Sequence, residues 1–124
     1  MSSKRIYDDH VEIQKFHKRL IRAIRAGDKK EDVIKQCDHA LVSLKKHIEF
    51  ENDLMTRSGF NKEKCKRHTD HHKLIVSLLT NECRRLAEGG EVIDFMIDVY
   101  DEIMSNHAVL FDNELIQWAM KRGV

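Results

Sequence analysis

Eight of the 124 residues are histidines, and several of them keep regular company. His47 is followed four residues later by Glu51, in HIEFENDLM. His68 is followed at the same interval by His72, in RHTDHHKLI. His107 is followed five residues later by Asp112, in NHAVLFDNEL, and His17 stands in QKFHKRL. Residues four apart on a helix lie one above the other on the same face. Imidazole is the commonest metal-ligating side chain. Mixed with carboxylate donors it suits octahedral iron or manganese better than tetrahedral zinc.

Each of these groups falls where a helical apolar stripe calls for an apolar residue. His17 lies between Ile13 and Leu20. The stripe through Leu44 continues into His47, Ile48 and Glu51. His68 and His72 are in line with Cys65, Ile75 and Leu79. His107 is in line with Ile103 and Leu110, with Asp112 at the edge of that face. Burying a carboxylate is expensive unless it is paired or binds a cation, and no Lys or Arg falls in line with these inner faces. Five histidines and two carboxylates exceed the needs of one ion. Two six-coordinate ions sharing two bridging carboxylates would use them all, with the imidazoles split three and two and one position left open.

Four helices are needed to bring these groups together. Apolar residues recur at helical spacing in four blocks, at about 8–26, 30–57, 62–87 and 92–120, and no block alternates as a strand would. The sequence has no proline, which suits long helices. Gly27 breaks the first block and Asp28 is the expected N-cap of the second. Gly59 and Asn61 mark the next turn, as end and cap, and EGGE at 88–91 is the last break. Ile34 in the second block, and Ile93 and Leu110 in the fourth, are expected on the inner stripes. The predicted fold is all-α, an up-down-up-down four-helix bundle formed by one domain over residues 1–124, with a dimetal site in its core.

The remaining histidines read as bystanders. His10 is a half-exposed residue near the N-terminus and His39 a surface residue. His71 is the solvated neighbour of His72, and the adjacent alternative to it as a ligand. Cys37, Cys65 and Cys83 read as reduced core thiols, since an odd number without a CxxC pair is no disulfide framework. Trp118 is expected to close one end of the bundle.

The charges nearly cancel, 22 basic against 21 acidic, for a net charge of +1. That gives no electrostatic case for nucleic acid or a membrane surface. No stretch approaches the length of a membrane span and the N-terminus lacks the apolar core of a signal peptide, so a cytoplasmic protein is expected. There is no GxSxG, no phosphate loop and no HExxH. No Glu is followed three residues later by His, as ferritin-like sites require.

The order FHKRL, HIEFENDLM, HTDHH and HAVLFD over essentially the whole chain resembles the hemerythrin family, in particular the single-domain bacteriohemerythrins. The resemblance implies two iron ions with a bridging oxo or hydroxo group. His68, His72 and His107 would bind one, His17 and His47 the other, and Glu51 and Asp112 would bridge them. It also implies reversible binding of O2, or of NO, for carriage, storage or delivery rather than catalysis. Sensing or signalling through an unknown protein partner, or a diiron oxidase or peroxidase, are the alternatives. The chain departs from the family in three places. The second turn reads GFNKEK with Phe60 and no proline, the stretch from Glu51 to His68 is slightly longer, and there is no tryptophan-bearing N-terminal arm.

Overall fold

The computed structural model describes residues 2–91 and 94–124. The helices are α1 (Ser2–Arg25), α2 (Lys30–Arg57), α3 (Lys62–Ala87), α4 (Asp94–His107) and α5 (Asn113–Arg122). A π-helical turn, Ala108–Asp112, joins the last two into one rod. Four antiparallel rods thus form an up-down-up-down bundle, with no strand among the described residues. Each rod packs on the next, and α5 closes the ring against α1. Among the described residues no helix is long and apolar enough to cross a membrane. The expected start of the fourth helix, at Val92 and Ile93, lies outside the described residues.

The turns follow their local chemistry, with one exception. Gly59 takes φ +68°, and the Phe60 amide donates back to the Met55 carbonyl at 3.0 Å, closing α2 in a left-handed cap. Asn61 Oδ1 accepts from the amides of Glu63 and Lys64 at 3.0 and 3.1 Å and so opens α3. Asp28 is not the N-cap expected of it. Lys29 holds that position without a side-chain bond, while the Asp28 amide donates to the Ala23 carbonyl and finishes α1 with Gly27. Here the C-terminal cap of one helix outcompetes the N-cap of the next.

Two apolar layers hold the rods together. One gathers Ile13, Leu20, Leu44, Ile75, Leu79 and Tyr100, together with Cys37 and Cys83. The other gathers Ile6, Leu54, Met55, Phe60, Leu115 and Ala119. Trp118 packs against the second layer, where its indole N–H donates to the Ser58 carbonyl at 3.1 Å, so it does close that end. Ile34 and Leu110 leave the inner stripes on which they were expected, at 38% and 64% exposure.

Leu110 leaves for a reason that matters to the site. On an α-helix it would share a face with His107, and a residue five further on would be rotated about 140° away. The π-turn adds one residue to the rod. From His107 onward the buried residues are His107, Asp112, Leu115 and Ala119. Removing one residue from the first gap would give the four-three-four spacing of an uninterrupted inner face. The extra residue carries Val109 and Leu110 outward and Asp112 inward.

Candidate metal centre

Between the two apolar layers every rod delivers polar groups. Glu51 lies between Leu44 and Leu54, His68 and His72 between Phe60 and Ile75, and His107 and Asp112 between Tyr100 and Leu115. Together with His47 these are the buried polar and charged residues of the described chain, and no Lys or Arg is among them.

The donor atoms converge. Glu51 Oε1 lies 2.9 Å from His47 Nε2, 3.1 Å from His72 Nε2, 3.7 Å from His68 Nε2 and 3.9 Å from His107 Nε2. Asp112 Oδ1 lies 2.9 Å from His107 Nε2 and 3.1 Å from His68 Nε2. The Nε2 atoms of His68 and His107 face each other at 3.2 Å. Two sets of donors are close enough to share an ion: Glu51, His68, His72, His107 and Asp112, and a second set of His10, His47 and Asp112. Asp112 belongs to both, and Glu51 touches histidines of both.

The outer nitrogens are anchored. His47 Nδ1 pairs with Asp9 Oδ2 at 3.1 Å, His72 Nδ1 with Asn52 Oδ1 at 3.1 Å, and His107 Nδ1 with His71 Nδ1 at 2.7 Å. A carboxylate or amide oxygen at Nδ1 fixes the proton there and leaves the Nε2 lone pair pointing inward, as metal-ligating histidines require.

These groups do not satisfy one another. Glu51 Oε2, Asp112 Oδ2, His47 Nε2 and His68 Nδ1 are buried without a hydrogen-bond partner. His10 Nε2 comes within 2.6 Å of Asp112 Oδ2, and His47 Nε2 within 2.9 Å of Glu51, but neither pair has hydrogen-bond geometry. Donors bound about 2.1 Å from one ion and at right angles to each other sit about 3 Å apart. Most of the distances above match that spacing. The donor set therefore fits metal ions better than it fits itself.

Electrostatics point the same way. Burial opposes ionisation of Glu51, yet His107, His47, His68 and His72 hold its carboxyl well below the usual range. Asp112 is likewise depressed, burial being outweighed by His10, His107 and His68. Burial also works against protonating His68, but Asp112 and Glu51 win and push it up to about 9. His72, dominated by burial, drops to about 4. Without a cation, the two anions are balanced by protons on the imidazoles.

One expected ligand stands elsewhere. His17 packs on Tyr100 at 4.4 Å between ring centroids, 3.7 Å from Asp101, and joins neither donor set. His10, read from the sequence as a bystander, takes the place. The hairpin register explains it. Asp9 faces His47 and Phe16 faces His39, so the α1 residues level with His47 are 9 and 10. His17 is seven residues on, about 10 Å along the axis. His10 lies between Ile6 and Ile13, one in each apolar layer, whereas His17 lies inside the first layer, between Ile13 and Leu20. The sequence does hold this signal, since Ile6 extends the apolar stripe past His10. The expected helix start, near residue 8, hid it. His39 is exposed, as expected. His71 is half-buried beside the cluster, its ring 4.9 Å from that of His107.

A groove of about 770 Å³ opens between α1 and α4, lined by His10, Ile13, His17, Tyr100 and Met104 among others. His10 thus borders both the groove and the donor cluster. Compared with protein-family models, with curated proteins and with solved structures, the chain gives no match.

Proposed function

We propose that the cluster holds two iron ions and that the protein is a hemerythrin-like carrier or store of O2. One observation carries this reading: inward-facing Nε2 atoms from four buried histidines surround two carboxylates that each touch both donor sets. In it, His68, His72 and His107 would hold one ion and His10 and His47 the other, with Glu51 and Asp112 available to both. A reduced iron pair supplies electrons that a diatomic ligand can take up and return.

The chain's own residues do the rest. Five imidazoles against two carboxylates supply little negative charge, which favours reversible uptake over oxidative chemistry. Asp9 and Asn52 keep the His47 and His72 rings from turning. The side served by two histidines, the one with fewer ligands, faces the α1–α4 groove through His10. Ile13, Met104 and Tyr100 give that approach apolar surface beside the charged Lys18, Arg22, Arg25 and Asp101, with room for a small uncharged gas. Binding without catalysis is part of the same proposal, supported by the absence of any Glu-x-x-His pair.

The test is iron analysis joined to one spectrum. We expect about two irons per chain, and an absorption band in air that disappears on deoxygenation and returns on re-aeration. Iron bound without a reversible band would end the carrier reading. Turnover of peroxide or ferrous iron would replace it with an oxidase.

A further inference from the structure

His71 belongs to no donor set, yet it makes the shortest contact to a cluster histidine outside the donor set. Its Nδ1 lies 2.7 Å from Nδ1 of His107. The two rings are parallel to within 4°, with centroids 4.9 Å apart. Rings in face contact cannot bring atoms that close, because van der Waals separations are about 3.5 Å or more. The rings must therefore lie edge to edge in one plane, each Nδ1 on the other's lone-pair axis, which is the strongest hydrogen-bond arrangement for two imidazoles.

The neighbours keep it so. Phe111 lies nearly parallel to both rings, at 4.8 Å from His71 and 5.3 Å from His107. His71 shares α3 with the cluster residues His68 and His72 but points to the cluster's outer side, where its other nitrogen can reach solvent. Asp9 and Asn52 meet the Nδ1 atoms of His47 and His72 in the same manner. His71 is the only one of these three partners that is itself an imidazole.

From this geometry we infer that His71 is a positioning residue for the metal centre. It accepts the Nδ1–H of His107 through its own Nδ1 lone pair, so that His107 presents a bare Nε2 to the ion. Its own proton then sits on Nε2, toward solvent. Such partners orient the ring and raise the basicity of the ligating nitrogen. The inference rests on the metal-binding reading above and assigns His71 no ligand bond of its own.

The experiment compares the wild type with His71→Leu, which fills the space but cannot accept, and His71→Gln, whose amide oxygen can. Ferrous iron and cobalt(II) are the probes, with affinity read by chelator competition and the reduction potential of the iron-loaded protein read beside it. Circular dichroism of each metal-free variant checks that the bundle has formed. We expect His71→Leu to bind about 10- to 100-fold more weakly and to shift the potential upward. His71→Gln should recover most of both. In metal-loaded wild type, nitrogen NMR of the diamagnetic zinc form should place the His107 proton on Nδ1. Equal affinity and potential in His71→Leu and wild type would overturn the inference while leaving the metal site intact. So would a His71→Gln variant as weak as His71→Leu, because that pattern means packing alone. A wild type that takes up neither metal would overturn this inference and the reading of the centre together.

Discussion

At the scale of single residues, the two carboxylates carry the most. Each sits in an apolar layer-bounded space with no cation but imidazolium near it. Glu51→Gln keeps the volume and removes the charge that His47 and His72 share. We expect it to reduce metal affinity by more than the roughly 100-fold that loss of an outer hydrogen-bond partner costs, measured by metal content after gel filtration. His10 and His17 provide the sharpest comparison, since one borders the cluster and the other packs on Tyr100. His10→Ala should lower the metal-to-protein ratio and His17→Ala should leave it unchanged. The opposite result would mean that α1 sits two turns from where the Asp9–His47 pair puts it. Protons should compete with metal here too. An imidazole must be neutral at Nε2 to bind an ion, and His68 without metal keeps its proton up to about 9. Affinity should therefore rise with pH through the neutral range and level off above about 9, in a chelator titration at several pH values.

At the scale of elements, the π-turn Ala108–Asp112 brings Asp112, five residues after His107, onto the inner face of the fourth rod. Such turns cost helical regularity and recur at functional sites. Because it amounts to one added residue, deleting Leu110 should restore an ordinary helix while keeping Leu115 and Ala119 inward. The variant should melt within a few degrees of the wild type, or above it; Asp112 then follows His107 by four residues and stays on the inner face, so we expect metal affinity, read by chelator competition, to fall by about 10-fold or less. A deletion variant with wild-type affinity would show the turn to be incidental. The α1–α2 hairpin acts in a comparable way. Its short connection sets which histidine of α1 is level with His47, and that choice needs no change in helix propensity.

At the scale of the whole molecule, the centre lies between two apolar layers that would pack without it, so the polar slab is where the metal-free bundle is least at ease. Metal that binds only the folded chain must raise its stability in proportion to the logarithm of metal concentration over Kd. A chelator should therefore lower the melting temperature, and added ferrous iron should restore it. For the metal-free protein the pH trend has a definite sign. His68, raised from 6.5 to about 9, contributes stability that is complete below its unfolded pKa and is lost as pH rises through about 9. Glu51 and Asp112, both depressed, contribute stability that is lost as pH falls through their folded pKa values. His72, lowered to about 4, adds to that acid loss. Denaturant midpoints should thus fall on both sides of a plateau near pH 6 to 7 in metal-free protein.

The spacing of apolar residues and the placement of Gly59 and Asn61 determined four helices and their turns, because helical period and capping are local properties of the chain. The same locality made His47 with Glu51, and His68 with His72, legible as pairs, since four residues on a helix fix a shared face wherever the helix goes. The burial of His47, Glu51, His68, His72 and His107 followed from the same stripes. What the pattern could not fix was anything set between helices or by a break in helical period. The choice of His10 over His17 depends on how far α1 slides along α2. The inward turn of Asp112 and the exposure of Leu110 depend on one inserted residue. The edge-on contact of His71 with His107 depends on the packing of α3 against the fourth rod. Sliding and rotation of preformed rods are decided by which apolar surfaces interlock across the core, and only the assembled bundle contains that information.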